Sequence, residues 1–239
     1  MARTLIVTPT YNEKENLPRL VEAVRSALPE ADLLIVDDNS PDGTGAIADA
    51  FAAKDPQVKV MHRSGKLGLG TAYIQAFTQG LAEGYERFFE MDADFSHDPK
   101  YLRAFVNALD EGADVVVGSR NIPGGSVEGW GPGRHAISKG GSLYSRTILG
   151  LGIRDLTGAF TAFTPRALEK IELGKIHSNG YSFQIEMKFR ASLAGLRIQE
   201  VPIVFVDRQV GKSKMSRKIF LEAIGVVWKL RYDAARGRL

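Results

Sequence analysis

The 239-residue sequence contains no cysteine. This absence excludes disulfide bonds and thiolate metal ligands, so a bound metal would depend on oxygen or nitrogen donors. It is also in keeping with the reducing environment of the cytoplasm.

The sequence also lacks long hydrophobic runs. No stretch approaches the ~18 to 20 consecutive apolar residues that a membrane-spanning helix needs. The early apolar run at residues 5–7 is too short for a secretory signal, and it meets Pro9. We therefore expect a cytoplasmic chain that does not itself cross a membrane.

The remaining composition is that of a soluble globular protein, with 44% hydrophobic and 25% charged residues. The net charge of +3 is unevenly distributed. From residue 208 onward, Arg and Lys are frequent, and the only acidic residues are Glu222 and Asp233. Such a basic tail indicates an anionic partner, which could be a phosphate, a membrane surface or a nucleic acid.

Short apolar runs alternate with helical patterns through the first half of the chain. The runs are residues 4–9, 33–36, 58–61, 87–90 and 114–118. Between the first two runs, apolar residues recur at the spacing of an amphipathic helix. This alternation predicts an α/β fold with a mostly parallel, Rossmann-like sheet flanked by helices.

The second half of the chain loses this alternation. We expect a glycine-rich loop over residues 121–134 and a helix over residues 138–149. Strands are predicted at residues 159–163 and 198–206, with helices at 181–193 and at about 216–235. Near the start of the chain, Asn12 is predicted to cap the first helix, with Glu15 as its capping-box partner.

Polar residues follow several of the predicted strands. They are Pro9 to Glu13 after the first strand, Asp37 and Asp38 after the second, Asp92 and Asp94 after the fourth, and Arg120 after the fifth. Ligands of doubly wound sheets bind beyond the carboxyl ends of the strands. The sequence therefore predicts a binding site where these residues converge.

Asp92 and Asp94 are the candidate metal ligands. In an extended segment, residues i and i+2 lie on the same face, so both carboxylates can point one way. Hard oxygen ligands at this spacing suit Mg²⁺ or Mn²⁺ bridging to phosphates. The alternative is that Asp94 begins a solvated turn. The position of the pair at a strand end favours a nucleotide diphosphate with a divalent metal.

The glycine-rich stretch at residues 63–70 is open to two interpretations. It fails the dinucleotide fingerprint because Tyr73 occupies the place of the third glycine, and it fails the P-loop pattern because Thr71 and Ala72 follow Gly70. It is either a loop that brings the following helix close to a strand or a loop that contacts a phosphate.

Other polar features of the second half are equally open. Trp130 is either a surface anchor or a contact for a sugar or lipid, and Glu186 by its spacing alone is a solvated helix residue. The polar segment at residues 209–217 either closes over a phosphate or serves as a surface linker.

Several motifs together resemble a known family. They are TPTYNE at 8–13, VDDNSPDGT at 36–44, LGLGTAY at 67–73, MDADFSH at 91–97, DLTG at 155–158, and VPI with DR at 201–203 and 207–208. They are similar to those of the dolichol- or polyprenol-phosphate mannosyltransferases in glycosyltransferase family two. The resemblance extends to about residue 225 and implies a GT-A fold.

The resemblance also implies a set of site residues. Those that resemble the nucleoside-binding positions are Pro9, Tyr11, Glu13, Val36 and Asp38. Those that resemble the metal and diphosphate motif are Asp92, Ala93 and Asp94, with Asp92 and Asp94 as the metal ligands. The basic residues that resemble contacts to the sugar and phosphates are Arg120, Arg134, Arg208 and Lys214. At the reacting centre, it implies catalytic roles for Asp94, Arg120 and Arg134.

One position departs from the family pattern. Some relatives carry Gln as a third metal ligand where this chain has Ser96. The third ligand is therefore unassigned, and a water molecule can replace it.

The reaction implied by the resemblance is transfer of mannose from GDP-mannose to a polyprenyl monophosphate with inversion, supported by Mg²⁺ or Mn²⁺. A phosphate monoester needs no general base, because its second pKa is near ~6 and it is largely dianionic at neutral pH. The basic residues would then offset the repulsion between two phosphorylated substrates.

Some relatives carry C-terminal transmembrane helices, which this sequence does not show. The basic amphipathic helix at residues 216–239 is therefore expected to lie on the cytoplasmic face of a membrane, or else to pack on the domain. A small membrane-anchoring subunit is a candidate partner. Nucleic acid is not expected, because no recognition module is present.

The expected organisation is one GT-A catalytic domain over residues 1–215, followed by the helix at residues 216–239. Residues 1–120 would form a nucleotide-binding half and residues 121–215 an acceptor half. Three other functions are alternatives to mannosyl transfer from GDP-mannose to a polyprenyl monophosphate. They are glucosyl transfer from UDP-glucose to a polyprenyl phosphate, transfer to a soluble acceptor, and non-catalytic binding of a sugar nucleotide.

Overall fold

The computed structural model describes residues 2 to 207 and 217 to 239. The strands are β1 (Thr4–Thr10), β2 (Asp32–Asp37), β3 (Val58–His62), β4 (Arg87–Glu90), β5 (Val115–Ser119), β6 (Ser126–Glu128), β7 (Thr161–Phe163), β8 (Ile198–Pro202) and β9 (Val204–Val206). The helices are α1 (Leu17–Ala27), α2 (Thr44–Ala52), α3 (Leu69–Ala82), α4 (Leu102–Asp110), α5 (Pro132–Leu149), α6 (Pro165–Ile171), α7 (Tyr181–Leu193) and α8 (Arg217–Ala235). Short 3₁₀ helices cover Pro99–Tyr101 and Leu173–Lys175.

Within the described residues, seven strands form the main sheet in the order β3-β2-β1-β4-β7-β5-β8. Neighbouring strands are parallel except at β7, which pairs antiparallel with both β4 and β5. The predicted mostly parallel sheet is confirmed. The insertion of β7 means that strands from the first and second halves of the chain share one sheet.

The sheet is buried on both faces, which explains the continuous apolar runs. Along β1, Ile6 faces a core packed by α1 and α4, whereas Leu5 and Val7 face a second core packed by α3, α6 and α7. All three side chains are almost fully buried. Side chains that alternate along a strand point to opposite faces, so one strand supplies both cores.

Three sequence predictions for the second half of the chain need correction. The predicted strand at 198–206 is two strands, because β9 leaves the main sheet and pairs with β6. The loop predicted over 121–134 contains β6, and α5 begins at Pro132 rather than at residue 138. A proline at the first helical position is a favourable start, since its missing N–H needs no partner there.

The predicted cap of the first helix is also wrong. Asn12 has a left-handed φ of 61° and belongs to a turn, while α1 begins at Leu17 after Asn16. The turn is tied to the second strand's loop, because the Glu13 N–H donates to Thr44 Oγ1 at 2.9 Å. This places Tyr11 and Glu13 beside the end of β2 instead of in a helix.

The glycines around α3 allow close packing at two different places. A Cβ on Gly70 would lie 2.9 Å from the Phe183 ring, so the glycine-rich loop lies against the beginning of α7. Contact with the strands is made further along, where a Cβ on Gly80 would lie 2.7 Å from both Leu5 and Phe88. The helix that follows the loop does lie close to the strands, as one of the two interpretations expects, and Gly80 rather than a glycine of the loop allows that contact.

The final helix packs on the body of the protein. Val227 and Leu230 are buried in a cluster with Leu149 of α5 and Phe189 of α7, whereas Trp228 of the same helix is 58% exposed. Among the described residues, no helix combines the length and apolar character needed to cross a bilayer.

Candidate active site

A cavity of about 280 Å³ opens at the carboxyl ends of β1, β2 and β4. The residues that line it are Pro9, Thr10, Tyr11, Glu13, Asp38, Lys66, Gly68, Leu69, Asp92, Ala93, Asp94, Thr157, Ala159, Gly180 and Gln184. The structure thus brings together most of the predicted nucleotide, diphosphate and metal residues. Other predicted residues lie around this cavity or outside the described part of the chain.

Asp92 and Asp94 both line the cavity just after β4 ends at Glu90. The Asp94 carboxylate accepts a hydrogen bond from the Ser96 N–H at 3.0 Å, which holds the loop in a tight turn. Asp94 is 8% exposed, whereas the Asp92 side chain is 31% exposed. The turn is therefore formed, but Asp94 is buried in it rather than solvated. Both residues line the cavity, and their role as metal ligands stays a prediction.

His97 is hydrogen-bonded to the loop that carries Asp92 and Asp94. The Asp92 N–H donates to His97 Nδ1 at 3.3 Å, and the imidazole stacks on Phe160 at 5.1 Å. Burial lowers the pKa of His97 to about 4, so the ring is neutral at physiological pH. Because Nδ1 accepts the hydrogen bond, we assign the ring proton to Nε2.

The donor set fits a divalent metal that retains other ligands. Among the described residues, no group of three or more His, Cys, Asp or Glu side chains is placed to hold a metal ion. Two carboxylates facing a cavity nevertheless suit Mg²⁺ or Mn²⁺, which commonly take one or two protein carboxylates and complete their shell with water and substrate phosphates.

Asp38 lies at the far side of the cavity and is paired with Arg63. The Arg63 Nη1 lies 3.1 Å from Asp38 Oδ1 and also donates to the Gly68 carbonyl at 3.3 Å. Burial raises the pKa of Asp38, and the Arg63 guanidinium opposes that rise. Arg63 was missed by the sequence reasoning, although it directly follows β3.

Tyr11 and Lys66 complete this end of the cavity. The Lys66 ammonium lies 4.6 Å from the centre of the Tyr11 ring, so a cation–π contact joins the glycine-rich loop to the β1 turn. Val36, by contrast, is fully buried within the sheet. Its side chain lies in the core, and its carbonyl accepts a bond from Thr10 Oγ1 at 3.4 Å.

Arg120 forms an ion pair with Asp155 next to the cavity. Its Nε and Nη2 atoms each lie 2.7 Å from an oxygen of the Asp155 carboxylate. Nη2 also donates to Thr157 Oγ1 at 3.1 Å. Burial favours a raised pKa for Asp155, but the Arg120 guanidinium and its hydrogen bonds outweigh burial and hold that pKa below the usual range. The pair fixes the plane of the Arg120 guanidinium.

Arg134 lies on the same side of the molecule, in the first turn of α5. Its Nη1 donates to Asp207 at 2.7 Å, and its guanidinium lies 4.3 Å from the centre of the Trp130 ring. Trp130 also packs at 5.3 Å against Phe205 of β9. In this structure Trp130 therefore supports the arginines. The predicted basic residues Arg208 and Lys214 lie outside the described residues.

A buried polar cluster beneath the cavity was missed by the sequence reasoning. Gln184 Nε2 donates to Glu90 at 2.8 Å, and the Lys188 ammonium donates to the Gly158 carbonyl at 2.7 Å. Glu90 and Lys188 are fully buried. The sequence does carry a signal for this cluster. Residues 184 and 188 are one helical turn apart, and the residues directly beside them in the chain are apolar.

Glu186 is also a correction. It is buried rather than solvated, and its carboxylate accepts bonds from Arg190 Nε at 2.9 Å and from the Ser178 N–H at 3.3 Å. It therefore anchors the loop before α7, which carries Gly180 to the cavity.

The chain is similar to proteins of a known family. A family model described as glycosyl transferase family 2 matches residues 5–172. A polyprenol monophosphomannose synthase from Mycolicibacterium smegmatis is 49% identical over 240 residues, which cover 98% of this chain and 91% of that protein. An undecaprenyl-phosphate mannosyltransferase from Micrococcus luteus is 49% identical over 241 residues, which cover 99% of each chain.

Solved structures match the fold. A glucosyl-3-phosphoglycerate synthase from Mycobacterium tuberculosis, in complex with phosphoglyceric acid, aligns with a TM-score of 0.68 over 96% of this chain and 80% of that chain, at 17% identity. The same enzyme in complex with Mn²⁺, UDP-glucose and phosphoglyceric acid aligns with a TM-score of 0.67 over the same shares, at 17% identity. At this identity the likeness concerns the fold, which is of the GT-A type.

Proposed function

Because the chain belongs to glycosyl transferase family 2, and is therefore a glycosyltransferase, we propose that it transfers mannose from GDP-mannose to a polyprenyl monophosphate. The products would be polyprenyl-phosphate mannose and GDP, with inversion at the anomeric carbon. The observation that carries this proposal is the 49% identity, over nearly the whole chain, to two proteins named for this type of transfer.

Asp92 and Asp94 are the residues that would hold a divalent metal, either Mg²⁺ or Mn²⁺. When bound, such an ion stabilises the negative charge that develops on the leaving diphosphate. Support comes from the two carboxylates facing the cavity and from the Mn²⁺ in the structurally similar glucosyltransferase. The turn made by the Ser96 N–H to Asp94 keeps that carboxylate oriented in the free protein.

The acceptor phosphate would act as its own nucleophile. As a monoester dianion it carries the attacking electron pair without loss of a proton, so no carboxylate need act as base. The task of the protein is then to bring two anions together. Arg120 and Arg134 would orient the acceptor and offset repulsion, together with Arg208 and Lys214. Asp155 would hold the Arg120 guanidinium in its plane.

The chemistry of Asp38 supports a guanine nucleotide. An ionised carboxylate can accept two adjacent N–H groups from the Watson–Crick edge of guanine. Uracil offers one N–H flanked by two carbonyl oxygens, which a carboxylate repels. Arg63 favours the ionised form of Asp38 despite its burial. This chemistry favours GDP-mannose over the alternative donor UDP-glucose.

Exposed apolar residues on α5 and α8 support peripheral contact with the cytoplasmic face of a membrane. Ile137 and Leu143 on α5, and Trp228 and Tyr232 on α8, are each at least half exposed. The two helices pack on each other, and α8 also carries Lys229 and Arg231. Aromatic and aliphatic residues interleaved with cations are typical of helices that lie in an anionic interface. A small membrane-anchoring subunit would be an additional means of attachment.

Vesicle flotation tests this membrane contact. We expect the wild-type protein to float with vesicles containing anionic lipid, and the double variant Trp228→Ser, Tyr232→Ser to remain largely in solution. Equal flotation of both proteins would contradict the role of α8. The variant Leu193→Ser serves as a control, because Leu193 is similarly exposed but lies on α7.

The transfer itself is tested with purified protein, polyprenyl monophosphate in detergent, Mn²⁺ or Mg²⁺, and labelled GDP-mannose or UDP-glucose. We expect label from GDP-mannose in the lipid extract and little from UDP-glucose. The variants Asp92→Asn and Asp94→Asn should each reduce transfer by at least about a hundredfold, since the site loses charge on the metal ligand. Absence of lipid-linked label from either donor would overturn the proposed function.

A further inference from the structure

Lys188 is a fully buried lysine that the proposed reaction does not use. Its ammonium donates to the Gly158 carbonyl at 2.7 Å and lies 3.4 Å from both the Leu156 carbonyl and Gln184 Oε1. Burial alone lowers the pKa of Lys188, and the nearby carboxylates of Glu90 and Asp155 oppose that shift. A charge in such a place is costly unless it is well paired, so its contacts merit explanation.

The contacts of Lys188 lead to two walls of the cavity. On one side, the Leu156 and Gly158 carbonyls flank Thr157, which lines the cavity and accepts a hydrogen bond from Arg120. Asp155, the ion-pair partner of Arg120, begins the same segment and accepts a bond from the Gly158 N–H at 3.1 Å. Lys188 therefore holds the segment that presents Arg120.

On the other side, Gln184 connects Lys188 to the end of β4. Gln184 Nε2 donates to Glu90 at 2.8 Å, and its Oε1 lies near the Lys188 ammonium. Glu90 is the last residue of β4 and directly precedes the loop that carries Asp92 and Asp94. The buried cluster of Glu90, Gln184 and Lys188 thus joins the wall with the metal ligands to the wall with Arg120.

We propose that Lys188 is a positioning residue for the transfer reaction. Through the Leu156 and Gly158 carbonyls and through Gln184, it fixes the Arg120 wall relative to the Asp92–Asp94 loop, so that the acceptor and donor sides of the cavity face each other correctly. This inference rests on the proposed transferase function. A displacement of about 1 Å between reacting groups is enough to slow a reaction about a hundredfold.

A merely structural role for Lys188 makes a different prediction. In that case any rearrangement that removes both buried charges and preserves the packing should restore activity along with stability. If Lys188 positions the two walls, the charge-free replacement should restore stability but not turnover, because a methionine cannot bind the two carbonyls. The double variant Glu90→Gln, Lys188→Met separates the two cases.

The experiment compares the wild type with Lys188→Met, Glu90→Gln and the double variant. We expect each single change to lower Tm, because Glu90 and Lys188 are fully buried and each would lose the nearby ionisable group that offsets its burial. The double variant should recover most of that loss. Turnover is measured per GDP-binding site, counted by calorimetry, so that unfolded protein does not contribute. The exposed Lys170→Met on α6 is the control and should match the wild type in every measurement.

The expected result is a double variant with a kcat about 10 to 100 times below wild type. Its Kd for GDP and its KM for the donor should stay within about threefold of wild type, because the nucleotide end of the cavity does not contact Lys188. In the metal-free protein, backbone amides at residues 155–160 should exchange with solvent at least about ten times faster than in wild type, since their anchor is lost.

Any one of three results would overturn the inference. They are a wild-type kcat in the double variant, unchanged amide exchange at residues 155–160, or loss of GDP binding in all Lys188 variants. A different result would contradict the proposed function itself. In that case the wild-type protein would form no mannosyl lipid in the presence of GDP-mannose.

Discussion

At the level of single residues, the charges around the cavity occur in oriented pairs. Asp38 pairs with Arg63, Arg120 with Asp155, and Arg134 with Asp207. The sequence placed Asp38 and Arg120 directly after strands, as the structure has them, because a polar residue after an apolar run is visible in the sequence. Their contacts with a ligand stay predictions. Sequence reasoning missed Arg63 and Lys188, because a partner is defined by contacts between distant segments.

The pair of Arg63 and Asp38 leads to a prediction about the nucleotide. We expect Arg63→Met to lower the affinity for GDP by about tenfold or more while affecting UDP less, because the buried Asp38 carboxylate loses the cation that favours its ionised form. Calorimetric titration of GDP and UDP into each protein measures the two Kd values. Arg103→Met, which removes an exposed pair with Glu30, is the control. An unchanged ratio of the two Kd values would remove Asp38 from base selection.

The pair of Arg120 and Asp155 predicts a pH-dependent change in stability. Asp155→Asn should cost about 3 to 5 kcal/mol at pH 7, because it leaves a largely buried guanidinium without its carboxylate. The folded-state pKa of Asp155 is lowered, so its stabilising contribution is present above the unfolded pKa and is lost as the pH falls through the folded pKa.

Urea unfolding of the wild type and Asp155→Asn between pH 7 and the acid range measures this effect. The difference in the free energy of unfolding should be largest at neutral pH and should shrink in acid. Asp110→Asn, which removes an exposed carboxylate that pairs with Arg87, should cost at most about 1 kcal/mol. A difference that grows as the pH falls would contradict the assignment.

At the level of elements, the five strands predicted in the first half were all found. The strands β1, β2 and β5 are the clearest in the sequence, because their burial on both faces makes them continuous apolar runs. The three-residue strands β6, β7 and β9 were harder to predict from the sequence. β7 pairs antiparallel with β4 and β5, and β9 leaves the main sheet after Ile203, and both arrangements depend on pairing partners far along the chain. Length and direction of such short strands are decided by tertiary contacts.

Helix packing gives a matched pair of glycine predictions. Gly80→Ala in α3 should destabilise the protein by about 1 to 3 kcal/mol, because the new Cβ would meet Leu5 and Phe88 in a filled core. Gly140→Ala in α5 should instead stabilise by about 0.5 to 1 kcal/mol, since its Cβ would meet nothing within 4 Å and alanine favours the helix. Thermal unfolding of both variants checks the signs, and a stabilised Gly80→Ala would show that α3 has room to move.

At the level of the whole molecule, the sheet carries both sides of the candidate site. β4 leads to the loop with Asp92 and Asp94, β5 leads to Arg120, and β7 lies between these two strands. The polar cluster beneath the cavity joins the same two sides through α7. The predicted nucleotide-binding and acceptor halves therefore both contribute strands to a single sheet.

In the proposed reaction, an oxygen of the lipid phosphate displaces GDP from mannose. NMR of the purified lipid product, made from GDP-mannose labelled with ¹³C at the anomeric carbon, tests it most directly. We expect coupling between that carbon and the phosphorus of the lipid phosphate, in the β configuration that inversion of an α-linked donor requires. A product in the α configuration, or labelled mannose released free into water with no lipid-linked carbon, would contradict it.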